Sequence, residues 1–336
     1  MALICDCSVV WPGLAFSKNA DGSYEDFDTS RMSAFATAQP PRATQGMGAI
    51  DSSRWFMPQE LTPLFHTNAY ASLDDSQRLR YNQIHALYFN EQTMFFEKAL
   101  ARNVLGYFLA QSLPGGLKEG LAQFLAEEEQ HSAMFSRLNR QCAPEIYLEC
   151  DFYFIQVPPI AARALGLISR QPEWFPMLLW LMQLQEERAL HFGQTFLKSG
   201  DEIEPHFLDV QRRHLMDETG HVRWDEALLD CVWPKTGALL RSFNVRLLSW
   251  MIGEYFSTPK RSALRVVSAL AGEFPSLQPR LSDFCRQLVA LGDDPDFRRS
   301  LYSRENTPRT FKRFDAWPEF ASLARVMPAY APGKGI

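Results

Sequence analysis

The pentapeptides Glu127-Glu128-Glu129-Gln130-His131 and Asp217-Glu218-Thr219-Gly220-His221 decide the fold of this chain. Each reads as an acid, a glutamate, and a histidine three positions after that glutamate. A Glu and a His at i and i+3 lie about one turn apart on one helix face, so both can reach a single metal ion. One such pair is common by chance, whereas two pairs on two long helical segments indicate a shared metal centre.

Long helical patterns surround both motifs, and strand patterns are almost absent. The four longest predicted helices are each ended by glycine or proline, and they span about 75–111, 117–141, 173–198 and 205–232. We therefore predict an all-α chain with a four-helix bundle, extra helices and an irregular N-terminal extension. The predicted organisation is an extension packed on the body (1–70), the ligand-bearing bundle (71–258) and C-terminal helices that complete the same domain (259–336).

The composition excludes several classes of partner. The 336 residues carry a formal net charge of −5 with a pI near 5.9, so we expect no nucleic-acid partner. No apolar run reaches the roughly 18 residues that span a bilayer, and no secretory signal pattern opens the chain. The six cysteines are scattered without a CxxC pair, which is typical of reduced thiols. We expect a cytoplasmic protein without a membrane partner.

A di-iron bundle also needs one lone Glu from each of the other two helices. Spacing selects between the candidates, because Glu97 precedes Glu128 by the same 31 positions that separate Glu187 from Glu218. Two helical hairpins related by a pseudo-two-fold axis would produce this match. The rejected neighbours are Glu91 and Glu186.

His214 extends the predicted site, because positions 214, 218 and 221 share one helix face. Anionic carboxylates lower the charge of an iron cluster, and imidazole suits the same metal. Glu127 and Asp217 each precede a predicted ligand, and such acids commonly hold the free N–H of a metal-bound histidine. We predict this role for both.

The stretch His214-Leu215-Met216-Asp217-Glu218-Thr219-Gly220-His221 resembles the signature of the ferritin-like di-iron N-oxygenases, the p-aminobenzoate N-oxygenase family. The resemblance covers about residues 75–235 and implies a ferritin-like bundle that binds two iron ions (Fe²⁺/Fe³⁺) and uses O₂ as co-substrate. It implies no catalytic residue beyond the metal centre. The implied ligands are Glu97, Glu128, His131, Glu187, His214, Glu218 and His221.

The resemblance also implies an activity and partners. Such a monooxygenase oxidises a small-molecule amine to a hydroxylamine, nitroso or nitro product, takes electrons from an external donor, and acts as a homodimer in secondary metabolism. Phe89 and Gln92 stand where aminobenzoate-accepting members have Tyr and Arg, which leaves the substrate open. Residues predicted to line the substrate pocket are Phe89, Gln92, Met94, Phe124, Trp180, Leu184 and His191.

Two other functions remain open at the level of the residues. The same ligands suit a di-iron hydroxylase, desaturase or oxidative-cleavage enzyme that acts on C–H or C–C bonds. A ferritin-like iron-handling protein is the third interpretation, which the third histidine and the single large chain disfavour. The number of oxidation steps, the electron donor and the role of residues 1–70 do not follow from the sequence.

Overall fold

A computed structural model describes residues 48–113 and 115–330, and within them it is helical without a strand. The prediction of an all-α fold is confirmed. The α-helices are α1 (Asn68–Ala71), α2 (Asp75–Phe96), α3 (Arg102–Leu109), α4 (Gly115–Cys142), α5 (Pro144–Tyr147), α6 (Pro159–Ile168), α7 (Met177–Lys198), α8 (Pro205–Val232), α9 (Ala238–Met251), α10 (Ser262–Glu273), α11 (Leu281–Ala290), α12 (Pro295–Leu301) and α13 (Pro308–Asp315).

Two π-helical segments and six 3₁₀ turns complete the described helices. The π segment Glu97–Ala101 joins α2 to α3, so the predicted first long helix is continuous but locally widened. Such widened turns are frequent at functional sites, and this one begins at a predicted ligand. The other π segment is Ile252–Phe256, and the 3₁₀ turns are Gln59–Leu61, Pro63–His66, Trp233–Lys235, Pro275–Arg280, Leu291–Asp293 and Pro318–Arg325.

Side-chain caps fix the starts of two ligand-bearing helices. The side chain of Asp74 accepts a hydrogen bond from the amide of Gln77, and the backbone amide of Asp74 donates to the side-chain oxygen of Gln77, which forms a capping box at the start of α2. Glu204 accepts from the amides of His206 and Phe207 and caps α8. Both caps satisfy amides that an α-helix leaves without partners.

Four helices enclose the centre of the molecule, but they do not close it on every side. Helix α8 packs against both α7 and α4, and α2 packs against α4. Gly120 permits close packing in one of these interfaces, because a Cβ there would overlap the ring of Trp224. Helices α2 and α7 are not among the closely packed pairs. The bundle therefore keeps a gap between α2 and α7.

The apolar core forms two clusters, and each ligand helix contributes to both. Helix α4 adds Phe124 to the first cluster and Phe135 to the second, and α8 adds Leu228 to the first and Phe207 to the second. The Glu-x-x-His pairs lie between these positions. The metal-binding layer is therefore bordered by apolar packing towards both ends of the bundle, which removes water from it.

The segments flanking the bundle pack onto it. The amides of Phe56 and Met57 donate to the Oδ1 of buried Asn82, and Phe314 joins the apolar cluster that contains Trp180. Residues 1–47 of the predicted extension lie outside the described residues, and the proposed division at 70 and 258 stays a prediction. Among the described helices, none combines the length and apolar character needed to cross a membrane.

Candidate metal centre

Three imidazoles and four carboxylates meet in the layer between the two apolar clusters. His221 Nδ1 lies 3.0 Å from Glu128 Oε1 and 3.5 Å from Glu218 Oε1. His131 Nδ1 lies 3.9 and 3.8 Å from the same two carboxylate oxygens. His214 Nε2 lies 2.8 Å from Glu218 and 3.7 Å from Glu97. Two helices therefore direct both Glu-x-x-His pairs and the third histidine to one point.

The inward atoms of this cluster fit a metal better than they fit one another. His131 Nδ1, His221 Nδ1, Glu97 Oε1 and both oxygens of Glu218 are buried without a hydrogen-bond partner among the described residues. Unpaired polar atoms of this kind are costly in an apolar interior, whereas a bound cation would satisfy all of them. The donor set of carboxylate oxygen and imidazole nitrogen suits iron.

The acid that precedes each ligand Glu holds the histidine of the opposite helix. Asp217 Oδ2 on α8 lies 3.0 Å from His131 Nε2 on α4. Glu127 Oε2 on α4 lies 3.1 Å from His221 Nε2 on α8. The outer nitrogen of each ring is thereby occupied by an acid, and Nδ1 is left to face the cluster. Glu127 and Asp217 therefore each lie beside the outer nitrogen of a predicted ligand histidine, as the sequence analysis expected.

The prediction of Glu187 as an inward residue is wrong, and its neighbour Glu186 takes that place. Glu186 Oε2 lies 3.6 Å from His221 Nδ1. The carboxylate of Glu187 instead accepts from the backbone amides of Arg309 and Thr310, at 2.7 and 2.8 Å. Those amides open helix α13, where a carboxylate satisfies unpaired N–H groups and the helix dipole. Glu187 is therefore a cap for α13.

Glu91, the other rejected candidate, lies outside the cluster as expected. Its carboxylate accepts from the hydroxyl of Tyr147 and from the amides of Tyr153, Phe154 and Ile155. A buried acid with four donors is satisfied without a metal. Its function is to hold the connection between α5 and α6 against α2.

Burial and mutual repulsion disturb the acids of the cluster. Burial, together with the charge of Glu128, raises the pKa of Glu97 to about 7. Burial and the charge of Glu218 raise the pKa of Glu186 well above its ordinary value. Burial works against protonated His214, but the attraction of Glu218 prevails and raises the pKa of His214 to about 10. Protons therefore occupy the layer when no cation does.

A cavity of about 90 Å³ fills the gap between α2 and α7 and opens onto the cluster. The carboxylates of Glu97, Glu128 and Glu186 form part of its wall. Phe89 and Gln92, which the sequence placed in the substrate pocket, both line it. The remaining lining residues are Thr93, Phe96, Gln185, Arg188, Ala189, Phe192, Gln211, His214 and Phe256.

Five residues predicted for the pocket are not part of this lining. Phe124 stacks on the ring of His221 with centroids 4.0 Å apart, so it supports the metal layer from the other side. Trp180 packs in an aromatic core with Trp233 and Phe320. Met94 and Leu184 lie in the two apolar clusters, and His191 is half-buried beside Phe192. Closeness to a ligand along the chain therefore did not predict which side chains line the cavity.

Three further residues at the site were not predicted from the sequence. Ser132 donates a 2.5 Å hydrogen bond to Glu97 Oε2 and leaves Oε1 to face inward. Asp225 lies one turn beyond His221, fully buried, with both oxygens unpaired among the described residues, and burial raises its pKa well above the ordinary value. Arg188 lines the cavity two positions after Glu186. No repeated motif marks any of them.

The fold and the donors define the class of this protein: a helical bundle with a buried carboxylate–histidine metal centre. The chain matches the family model described as P-aminobenzoate N-oxygenase AurF over residues 44–276. The chain therefore belongs to this family of di-iron N-oxygenases and is an enzyme. A comparison with curated proteins finds no match.

Separate substitution of Glu186 and Glu187 by glutamine tests which of them binds the metal and which caps α13. Glu187→Gln should lower the free energy of unfolding by about 1 kcal/mol, because α13 loses a charged cap, and should leave the bound iron unchanged. Glu186→Gln should reduce the bound iron. The measurement is iron per chain together with urea unfolding for both variants. Iron loss in Glu187→Gln alone would restore Glu187 as the ligand.

The pH dependence of stability should differ between metal-free and iron-loaded protein. The pKa of Glu97 in the folded protein is about 7, above its ordinary value of 4.5, so the stability that protonated Glu97 contributes is complete below pH 4.5 and is lost as the pH rises towards 7. The raised pKa of His214 continues this loss above pH 6.5. Iron(II) replaces these protons, so the increase in Tm on iron loading should grow from pH 5.5 to 8. An increase that is independent of pH would contradict this linkage.

Proposed function

We propose that this enzyme uses two iron ions and O₂ to oxidise the amine nitrogen of a small molecule. The observation that carries the proposal is the inward donor set, in which a third histidine joins two Glu-x-x-His pairs beside a small cavity. The proposed ligands are Glu97, Glu128, His131, Glu186, His214, Glu218 and His221, with Glu127 and Asp217 holding the outer nitrogens of His221 and His131.

The metal supplies the redox chemistry that activates O₂, and the protein supplies the enclosure. For the first oxidation, R–NH₂, O₂, two electrons and two protons give R–NHOH and water. The N–H bond becomes N–O–H, one oxygen atom enters the product, and the other leaves as water. Further rounds of the same kind give nitroso and nitro products.

The lining of the cavity supports an aromatic amine of single-ring size. Phe89, Phe96, Phe192 and Phe256 supply apolar and aromatic surface. The volume of about 90 Å³ is far below the ~300–1,000 Å³ of pockets for drug-sized ligands, which disfavours extended substrates. Apolar side chains in the wall also limit the contact of water with the reacting atoms.

The guanidinium of Arg188 supports an anionic group on that amine. It stacks on the ring of Phe192 at 4.6 Å, and its Nε is buried without an acceptor among the described residues. Its Nη1 donates only a long 3.4 Å bond to Gln185. Gln92 on α2 carries no charge, but Arg188 on α7 provides a positive charge at the cavity. This charge can pair with a substrate carboxylate.

We also propose that the protein is a homodimer, that it acts in secondary metabolism and that it takes electrons from an external donor. A stripe of exposed apolar side chains follows α9, where Leu239, Phe243 and Trp250 are 90%, 52% and 55% exposed. Exposed apolar side chains grouped on one helix are typical of protein interfaces, which supports the proposed homodimer. A role in secondary metabolism and an external electron donor are proposed from the family alone.

The activity is tested with iron-loaded protein, a chemical reductant, ¹⁸O₂ and a set of aromatic amines. We expect products 16, 14 or 30 mass units heavier than the amine in unlabelled O₂, with the added oxygen derived from ¹⁸O₂. Glu218→Ala protein is the control, since it loses a central ligand. Oxygen found on carbon rather than nitrogen in fragmentation spectra would favour a hydroxylase instead.

The role of Arg188 is tested with the isosteric pair 4-aminobenzoate and 4-aminobenzamide. Arg188→Gln should lower kcat/KM for the carboxylate about 10- to 100-fold, because a buried charged hydrogen bond is lost. The amide should change less than about threefold, since it never paired with the cation. Arg188→Lys should recover part of the loss. Equal losses for both substrates would mean that Arg188 only supports the packing of Phe192.

A further inference from the structure

A second opening reaches the metal layer from the groove between α4 and the π segment Glu97–Ala101, which continues into α3. It encloses about 630 Å³, and the buried carboxylates of Glu97 and Glu128 lie at its floor beside Ser132. The same two carboxylates also line the smaller cavity between α2 and α7. The cluster is therefore approached from two sides, and the two approaches differ in size and chemistry.

The rim of this groove is cationic, although the chain as a whole has a net charge of −5. Lys98, Arg102, Arg137 and Arg140 line it, against two acids outside the metal layer, Glu129 and Asp151. Asp151 is shared by Lys98 and Arg140, at 2.9 Å from each. Arg102 reaches Glu129 only at 3.5 Å, and both Arg102 and Arg137 are exposed. The rim keeps a surplus of positive charge facing solvent.

These features exclude two uses of the groove. A substrate chamber needs apolar walls and little water, whereas this groove is wide, open and lined by charged side chains. A route for Fe²⁺ would need an acidic rim, because surplus cations repel a cation. A cationic rim around a short path to a redox centre instead suits an acidic partner that delivers electrons.

We infer that this groove between the π segment and α4 is the docking surface for an acidic one-electron carrier protein of the ferredoxin class. The inference rests on the proposed function, since each oxidation there consumes two electrons. Two reduced carriers supply them, and each carrier is oxidised by one electron. The rim binds the acidic face of the carrier, and the floor at Glu97 and Glu128 brings the carrier near the metal layer. Arg102 and Arg137 contribute most, because their charges are the most exposed.

Binding is tested with a plant-type [2Fe–2S] ferredoxin and both the metal-free and the iron-loaded enzyme. Reversing the charge of Arg137 to Glu should raise the Kd for ferredoxin about tenfold at low salt, and adding Arg102→Glu should raise it further. The matched control is Arg286→Glu, since Arg286 is also an exposed arginine and lies on α11. It should leave the Kd unchanged. Equal effects of Arg137→Glu and Arg286→Glu would overturn the inference.

Turnover separates this inference from the proposed function. With dithionite and a small mediator, Arg137→Glu should form product at the unaltered rate, because the mediator needs no docking surface. With ferredoxin as donor, the KM for ferredoxin should rise about tenfold in the variant. Added salt screens the attraction between the rim and the carrier, so it should raise this KM less steeply in the variant than in the unaltered enzyme. Product from the mediator but unaltered ferredoxin kinetics in the variant would refute the docking surface alone. If neither donor supports formation of an N-oxidised product, the proposed function is refuted.

Binding of an acidic acyl-carrier protein is the remaining comparison. If that protein binds the groove more tightly than ferredoxin and competes with it, the surface serves delivery of a tethered substrate, and the inference is wrong. If ferredoxin binds more tightly and the carrier protein does not displace it, the inference stands.

Discussion

Four carboxylates and three imidazoles share one buried layer between two apolar clusters. The rest of the structure depends on how the charges in this layer are balanced. Carboxylates in such a layer repel one another and cannot all be charged without a cation. The raised pKa values of Glu97 and Glu186 express this conflict, and so do the unpaired inward atoms of His131 and His221. A bound cation would resolve the conflict, so metal binding should stabilise the bundle.

The outer acids belong to the same arrangement. Asp217 holds His131, and Glu127 holds His221, so each helix orients the ring that the other helix supplies. This exchange ties α4 to α8 at the level of the metal. A shift of either helix along its axis would therefore disturb both rings together. The reciprocal contacts make the relative height of the two helices part of the site.

The sequence predicts those features that depend on one helix alone. The periodicity of an α-helix defines which positions share a face, so His214, Glu218 and His221 could be grouped without a structure. The choice between Glu186 and Glu187 was different, because adjacent positions differ by about 100° and the answer depends on the rotation of α7. Helix α13, which the sequence analysis did not predict, takes Glu187 for its own amides. The equal spacing of 31 positions therefore could not show which of the two glutamates faces the cluster.

The cavity follows from the unequal packing of the four helices. Three neighbouring pairs close tightly, and the remaining gap between α2 and α7 becomes a cavity with aromatic side chains in its wall and the cluster at one end. Arg188 reaches this gap because it shares a helix face with Gln185 and Phe192, three positions before it and four after it, which also line the cavity. Between α4 and the π segment the cluster instead meets charged, solvated side chains. One layer of carboxylates thus separates an apolar chamber from a cationic surface, which allows organic substrate and electrons to approach from different sides.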